Sequence, residues 1–349
     1  MEATEFGEYV ALVNRYMDEG YTDGLPVIPP SRDHIAAMVA ASGRPADAVL
    51  GVIPPRNVPL TIETVAINAI MAGCLPEYMP VVVAALEAIL QPGFNLVSPA
   101  CSTKGVAPLF IVNGPIRKQI GLNALGNVFG PGFRANASIG RAVRLVMINA
   151  GGARSQALDK STFGHPGKYT YVIAEDEEGS PWEPFHVERG FSPEESTVAA
   201  VACEAPRLVG NYNPEAGPEG ILLTIADTLS TLTSFGATGP KDATVVLLGP
   251  EHRDTIAQAG WSKRDVQQFL FEHCGRRAGE LKRTVGGVPA WGTVDAPDDA
   301  WVQMFADPDR ILVVAAGGGA GRFSVVCDGF AAPQFCQWQM RKIEVPPSA

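Results

Sequence analysis

Asn113, Arg134, Asn136, Arg141 and Arg144 lie close together in the chain, between the turns Asn113-Gly114-Pro115 and Gly151-Gly152. Arg141 and Arg144 stand at i and i+3, so a helix would place both guanidiniums on one face. Set in the apolar run Ser138–Asn149, they need anionic partners, because an unpaired buried charge is costly. Two chemistries satisfy them: internal salt bridges, or a clamp for a carboxylate or phosphate with Asn113 and Asn136 orienting the ligand. His165, in Phe163-Gly164-His165-Pro166-Gly167, is the first candidate for general acid or base, since an imidazole titrates near neutrality and this loop is rigid. His252, in Gly249-Pro250-Glu251-His252, ranks second. Cys74 and Cys101 are the candidate thiolate nucleophiles; Lys104 could activate Cys101, and Ser102 and Thr103 compete for the same role.

Two further clusters carry rival chemistry. Glu175-Asp176-Glu177-Glu178 follows an apolar run and precedes His186, which admits a hard cation held by His165, Glu175 and His186. A solvated acidic turn is the simpler reading of the same residues. Gly317-Gly318-Gly319-Ala320-Gly321-Arg322 follows another apolar run and could present backbone N–H groups to an anion. It is neither a Walker A loop nor a full G-x-G-x-x-G fingerprint, so the cofactor stays unknown. The six cysteines form no C-x-x-C pair and no zinc-ribbon spacing, and read as free thiols, many of them buried.

The elements that must position these groups alternate along the chain. The N-terminal part reads as helical hairpins joined by Pro-rich loops. Tyr9, Leu12, Val13 and Tyr16 stripe a first helix, Ser31 caps a second, and Thr61 caps a third that stops at Gly73. Leu109–Val112, Thr244–Leu248 and Ile311–Ala316 are continuous apolar runs, as strands covered on both faces require. Lys168–Ala174 reads as a further strand. Helices are expected over Ser138–Asn149, Ile221–Leu232 and Ser262–Cys274, the last opened by a Ser262/Asp265 capping box. The fold class is α/β: a helical N-terminal region packed on mixed or parallel sheets, loop-rich, in two α/β halves, 1–210 and 220–349. No internal repeat stands out.

Composition bounds the function. The 349 residues are 46% hydrophobic and 18% charged, which describes a protein with a real core. A net charge of −10 without a basic run argues against nucleic acid as a partner. Apolar stretches are interrupted by Pro, Gly or charge, which argues against a membrane, and the acidic N-terminus carries no signal core, so cytoplasmic residence is expected. The reading is a soluble enzyme of lyase or hydrolase type acting on a small anionic metabolite; the alternatives are a metal-dependent enzyme and a non-catalytic subunit of a thiol redox assembly.

Asp23-Gly24-Leu25-Pro26-Val27, Met71–Tyr78, Asn113-Gly114-Pro115, Arg134–Ala142 and Trp182-Glu183-Pro184 together resemble an uncharacterised family of bacterial proteins, over most of the chain. These look like companions of a small thiol or selenol protein group bearing a U-G-S-C motif. The chain has no U-G-S-C or C-G-S-C, so the resemblance implies a partner of the motif bearer, and it assigns no catalytic residue; a homo-oligomer is the other expected association.

Overall fold

The computed structural model describes residues 3–232, 243–284, 294–330 and 335–346. The chain opens with α1 (Ala3–Asp18), α2 (Arg32–Ala41) and a hairpin of β1 (Val49–Ile53) and β2 (Val58–Thr61), then α3 (Ile62–Ala72), α4 (Met79–Ile89) and α5 (Val97–Cys101). Ser31 and Thr61 cap α2 and α3 as their positions predict, and Gly73 ends α3 in a left-handed conformation. On α1 Val13 is buried, while Tyr9 and Leu12 face outward.

A first sheet is then built from β3 (Ala107–Asn113), with α6 (Ile116–Gln119) and α7 (Arg134–Asn149) leading to β4 (Val172–Ala174), and α8 (Phe185–Glu188) to β5 (Thr197–Cys203). Next come β6 (Arg207–Gly210), α9 (Gly217–Leu232), β7 (Thr244–Leu248), α10 (Pro250–Gln258) and α11 (Lys263–His273), the last with its capping box. A small hairpin of β8 (Gly275–Arg277) and β9 (Trp301–Gln303) encloses α12 (Ala278–Thr284). The chain closes with β10 (Ile311–Ala315), β11 (Phe323–Cys327) and β12 (Gln339–Lys342). The strand expected over Lys168–Ala174 is shorter, because Pro166–Lys168 is a 3-10 turn. α7 begins at Arg134, ahead of the expected Ser138.

The result is an α/β fold of four layers. Side chains alternate across each strand, so Phe110 and Val112 of β3 point into α3, α4 and α7, while Leu109 and Ile111 face the second sheet. Val245, Leu247, Leu312 and Val314 meet them from the opposite side, and Val246, Leu248 and Val313 pack outward on α9, α10 and α11. Both central strands of the first sheet, β3 and β5, are buried along their whole length. Among the described residues no single helix is long and apolar enough to cross a membrane.

The two sheets share one topology. Their strand orders are β12-β5-β3-β4 and β6-β11-β7-β10. In the first, β3 runs parallel to β4 and antiparallel to β5; in the second, β7 runs parallel to β10 and antiparallel to β11. Registers match position by position. Phe110 pairs with Val172 and Ala200, and its counterpart Val246 pairs with Val313 and Val326. The outer strands are exchanged: β6 follows β5 in sequence yet pairs with β11, while β12 follows β11 and pairs with β5. Between the sheets Cys203 bridges Gly329, flanked by Glu204 N–H to Asp328 O (2.9 Å) and Phe330 N–H to Ala202 O (2.8 Å). A twofold relation requires this reciprocity, with each residue meeting its own counterpart. β6, within the stretch 1–210, completes the second sheet, and β12, within 220–349, completes the first.

Candidate functional site

An open cleft of about 740 Å³ lies on the first half, lined by Gly20, Thr22, Asp23, Arg144, Ile148, Arg154, Ser155, Lys168 and the loop Phe163–Pro166, with Tyr169 at its edge. Its wall is α7. Arg141, Arg144 and Ile148 recur at i, i+3 and i+7, one face of that helix. Gly151-Gly152 end it, and the chain turns back to place Arg154 over Gly20. A Cβ on Gly20 would lie 2.7 Å from Arg154 Nη1, so this glycine, already at φ +75°, gives the guanidinium its room.

Asp159 organises the charges. It is 4% exposed and binds Arg144 Nη2 and Lys168 Nζ, each at 2.8 Å, and accepts the Ser161 N–H at 3.1 Å. Burial alone would push its pKa up, but the hydrogen bonds from Lys168 and Arg144 outweigh that and hold it at about 2. Lys168 is shifted down, by burial chiefly and by the charge of Arg144, against the pull of Asp159. One carboxylate thus serves two cations. Arg154 makes no ion pair among the described residues, and its Nε is buried without a hydrogen-bond partner. Three cations, Arg144, Arg154 and Lys168, thus line the cleft; Asp159 serves the first and the last, and Asp23, which also lines it, is matched by Arg141.

The expected site residues separate into different places. Arg141 is not available to a ligand: it binds Asp23 in a two-pronged pair, Nε–Oδ2 and Nη2–Oδ1 both at 2.8 Å, and also donates to the Leu25 and Pro26 carbonyls. Of the paired arginines, only Arg144 borders the open space. Arg134 donates to the Gly73 carbonyl at the start of α7. Asn136 fastens α7 to its neighbours, accepting from Asn123 N–H at 2.8 Å and donating to the Asn123 and Val172 carbonyls. His165 reaches the cleft wall, but its Nδ1 accepts the Gly167 N–H at 3.1 Å and its Nε2 is buried beside the Cys203 backbone. Burial first and Lys168 second bring its pKa down to about 4, leaving a neutral ring near pH 7.

Neither cysteine is activated. Cys74 is buried against Ser138 and pushed up to about 12 by burial, with Arg134 and Arg141 opposing too weakly. Cys101 is raised by burial and then by Asp159, and Lys104 turns instead to Glu204 (2.7 Å) and the Phe330 carbonyl. Both stand as thiols at neutral pH, contrary to the thiolate expectation.

Asn113 belongs to a separate buried cluster beneath the acidic turn. It donates to Glu175 (2.5 Å) and Glu177 (3.0 Å), and Arg117 pairs with Glu177 and Glu178. From the second half, Lys263 reaches Glu175 at 3.2 Å and Arg253 reaches Asp176 at 2.8 Å. Glu175 is fully buried and Asp176 nearly so, so this run is not a solvated face. His186 lies 3.8 Å from Glu177, while His165 sits in the cleft; among the described residues no three His, Cys, Asp or Glu side chains converge as a metal site. In the second half, His252 is buried between Ser324 and the Asn211 carbonyl. The glycine-rich loop directs Gly317 N–H to the Ala124 carbonyl and Gly321 N–H to Glu251, internal acceptors both.

Arg154, Asp159 and Lys168, which complete the cleft, were not among the residues the sequence singled out. They sit in loops and a single 3-10 turn, where no periodicity marks which way a side chain turns. Comparison with protein-family models and with curated proteins found no match.

Proposed function

We propose that the cleft binds a small organic anion through Arg154, with Arg144 and Lys168 beside it, and that the protein is an enzyme acting on that anion by bond cleavage or group transfer. The observation that carries the reading is Arg154, a guanidinium over the cleft with no acid partner among the described residues and an unsatisfied Nε. A planar fork of donors in that position suits a carboxylate or phosphate. Lys168, held by Asp159 and shifted toward easier deprotonation, is the group placed to give a proton to a ligand seated there. The state of Cys74 and Cys101 favours proton transfer over thiolate attack, and the inward-turned nitrogens of His165 give that ring a supporting place in the wall.

Isothermal titration with inorganic phosphate and with acetate tests the reading. Arg154→Met should abolish binding while melting within a few degrees of the parent, since no ion pair is broken. Equal affinity in the parent and Arg154→Met would remove the anion site from this cleft.

A further inference from the structure

The cleft is amphipathic. Arg144 and Lys168 converge on Asp159 and Arg154 stands over Gly20, whereas Ile148, Pro166, Tyr169 and Phe163 form an apolar border. Phe163 is 97% exposed, the most exposed large apolar side chain among the described residues. Single exposed apolar residues are common and by themselves mean little. This one has a particular place: it lines both the main cleft and an adjoining recess of about 420 Å³ that holds Lys104 and Glu204. Gly164, at φ +66°, follows it immediately, and Gly105 approaches Gly164 so closely that a Cβ there would lie 3.1 Å from the Gly164 carbonyl oxygen. The loop is thus seated by its backbone at Gly164, with the ring standing free on the ridge between two openings.

Size points the same way. At about 740 Å³ the cleft falls within the roughly 300–1,000 Å³ that hold whole drug- or cofactor-sized ligands, far more than an acetate or phosphate alone would fill. We propose that the ligand joins its anionic head to a flat apolar body, and that Phe163 is the specificity residue that covers this body, leaving water as the cations take the head. This rests on the anion reading above and names its ligand class: an aryl or similarly bulky apolar carboxylate or phosphate.

Titration calorimetry with two matched pairs of probes, phosphate with phenyl phosphate and acetate with phenylacetate, tests it on the parent, Phe163→Ala and Arg154→Met. Covering a phenyl ring with a second ring should favour each aryl probe about tenfold over its small partner. Phe163→Ala should erase that preference and leave phosphate and acetate affinities unchanged; the side chain is free of the core, so the fold is not at issue. Arg154→Met should abolish binding of phosphate and acetate and weaken both aryl probes, a loss that bears on the anion reading alone. Equal binding of each pair by the parent, or an aryl preference that survives Phe163→Ala, overturns the role of Phe163 while the anion site stands. Failure of all four probes to bind removes both.

Discussion

The two halves carry one strand arrangement and load its ends differently. Where β3 and β4 finish, the chain enters Asn113-Gly114-Pro115 and the buried acids that begin at Glu175; where β7 and β10 finish, it enters Gly249-Pro250 and Ala316-Gly317. The same backbone bond closes both ends, Glu175 N–H to Val112 O (3.2 Å) and Ala316 N–H to Leu248 O (3.3 Å). The frame is therefore shared and the side chains are not. In the first half these positions carry carboxylates out of water; in the second they carry alanine and glycine. Lys263 and Arg253 of the second half then supply countercharge to Glu175 and Asp176 of the first. The cleft, too, belongs to the first half and its N-terminal cover. On a matching strand arrangement the buried carboxylates at the strand ends lie on one side, and the other side supplies cations to two of them.

The largest effect should come from cutting that neutralisation. Lys263→Met leaves the fully buried Glu175 with its hydrogen bonds from Asn113 and Phe185 N–H but no cation, and breaking a buried pair on one side costs about 3–5 kcal/mol. Chemical denaturation should show that loss, and adding Glu175→Gln should restore much of it, because the uncompensated charge is then gone. A Lys263→Met protein as stable as the parent would mean the halves are held by their strands and apolar cores alone.

Sequence pattern reveals the strands that are apolar throughout and conceals the symmetry. β3, β7 and β10 are runs of branched apolar residues, and their positions follow from composition. β5, Thr-Val-Ala-Ala-Val-Ala-Cys, is just as buried, but alanine has little strand preference and nothing local marks it. The repeated topology is written in registers such as Ala200 opposite Phe110 and Val326 opposite Val246, which need chemical similarity only in being apolar. Site residues behave likewise. The spacing of Arg141 and Arg144 correctly places both on one helical face, yet which of them meets solvent depends on Asp23, distant in sequence, taking Arg141. The acids from Glu175 onward read as a surface turn because Lys263 and Arg253 lie far along the chain.

An intermediate effect should appear as pH dependence at the cleft. His165 has a pKa lowered from 6.5 to about 4, so the unfolded chain binds its proton more readily than the folded one. The neutral ring's contribution is fully present above about pH 6.5 and is lost as pH falls toward 4. Asp159 has a pKa lowered from 3.8 to about 2, so its contribution persists to about pH 4 and is lost as pH falls toward 2, on the order of 2 kcal/mol. Stability curves of His165→Asn should be flatter between pH 6.5 and 4, and those of Asp159→Asn flatter below pH 4. His252, also shifted down by burial, gives the second half an acid-sensitive ring of its own. If His252→Asn flattens the upper window as much as His165→Asn does, acid sensitivity is common to both halves and does not distinguish the cleft.

The smallest effect is a ranking of thiol reactivity, which asks whether burial is as even as the paired sheets imply. Cys203, Cys274 and Cys327 are fully buried and Cys74 and Cys336 nearly so, whereas Cys101, at the end of α5, keeps partial access to solvent. Access favours Cys101, and its raised pKa, from burial and from Asp159, slows it, since only the thiolate attacks. The two influences give a definite order: under native conditions at neutral pH a limiting alkylating reagent should modify Cys101 first but slowly, with the other five labelled only through unfolding. Asp159→Asn removes the nearby negative charge and should speed Cys101 modestly while leaving Cys74 unchanged. Mass-spectrometric mapping reads this directly. Rapid labelling of Cys74 in the native protein would mean that the start of α7 opens in solution, and a thiolate role for Cys74 would then return.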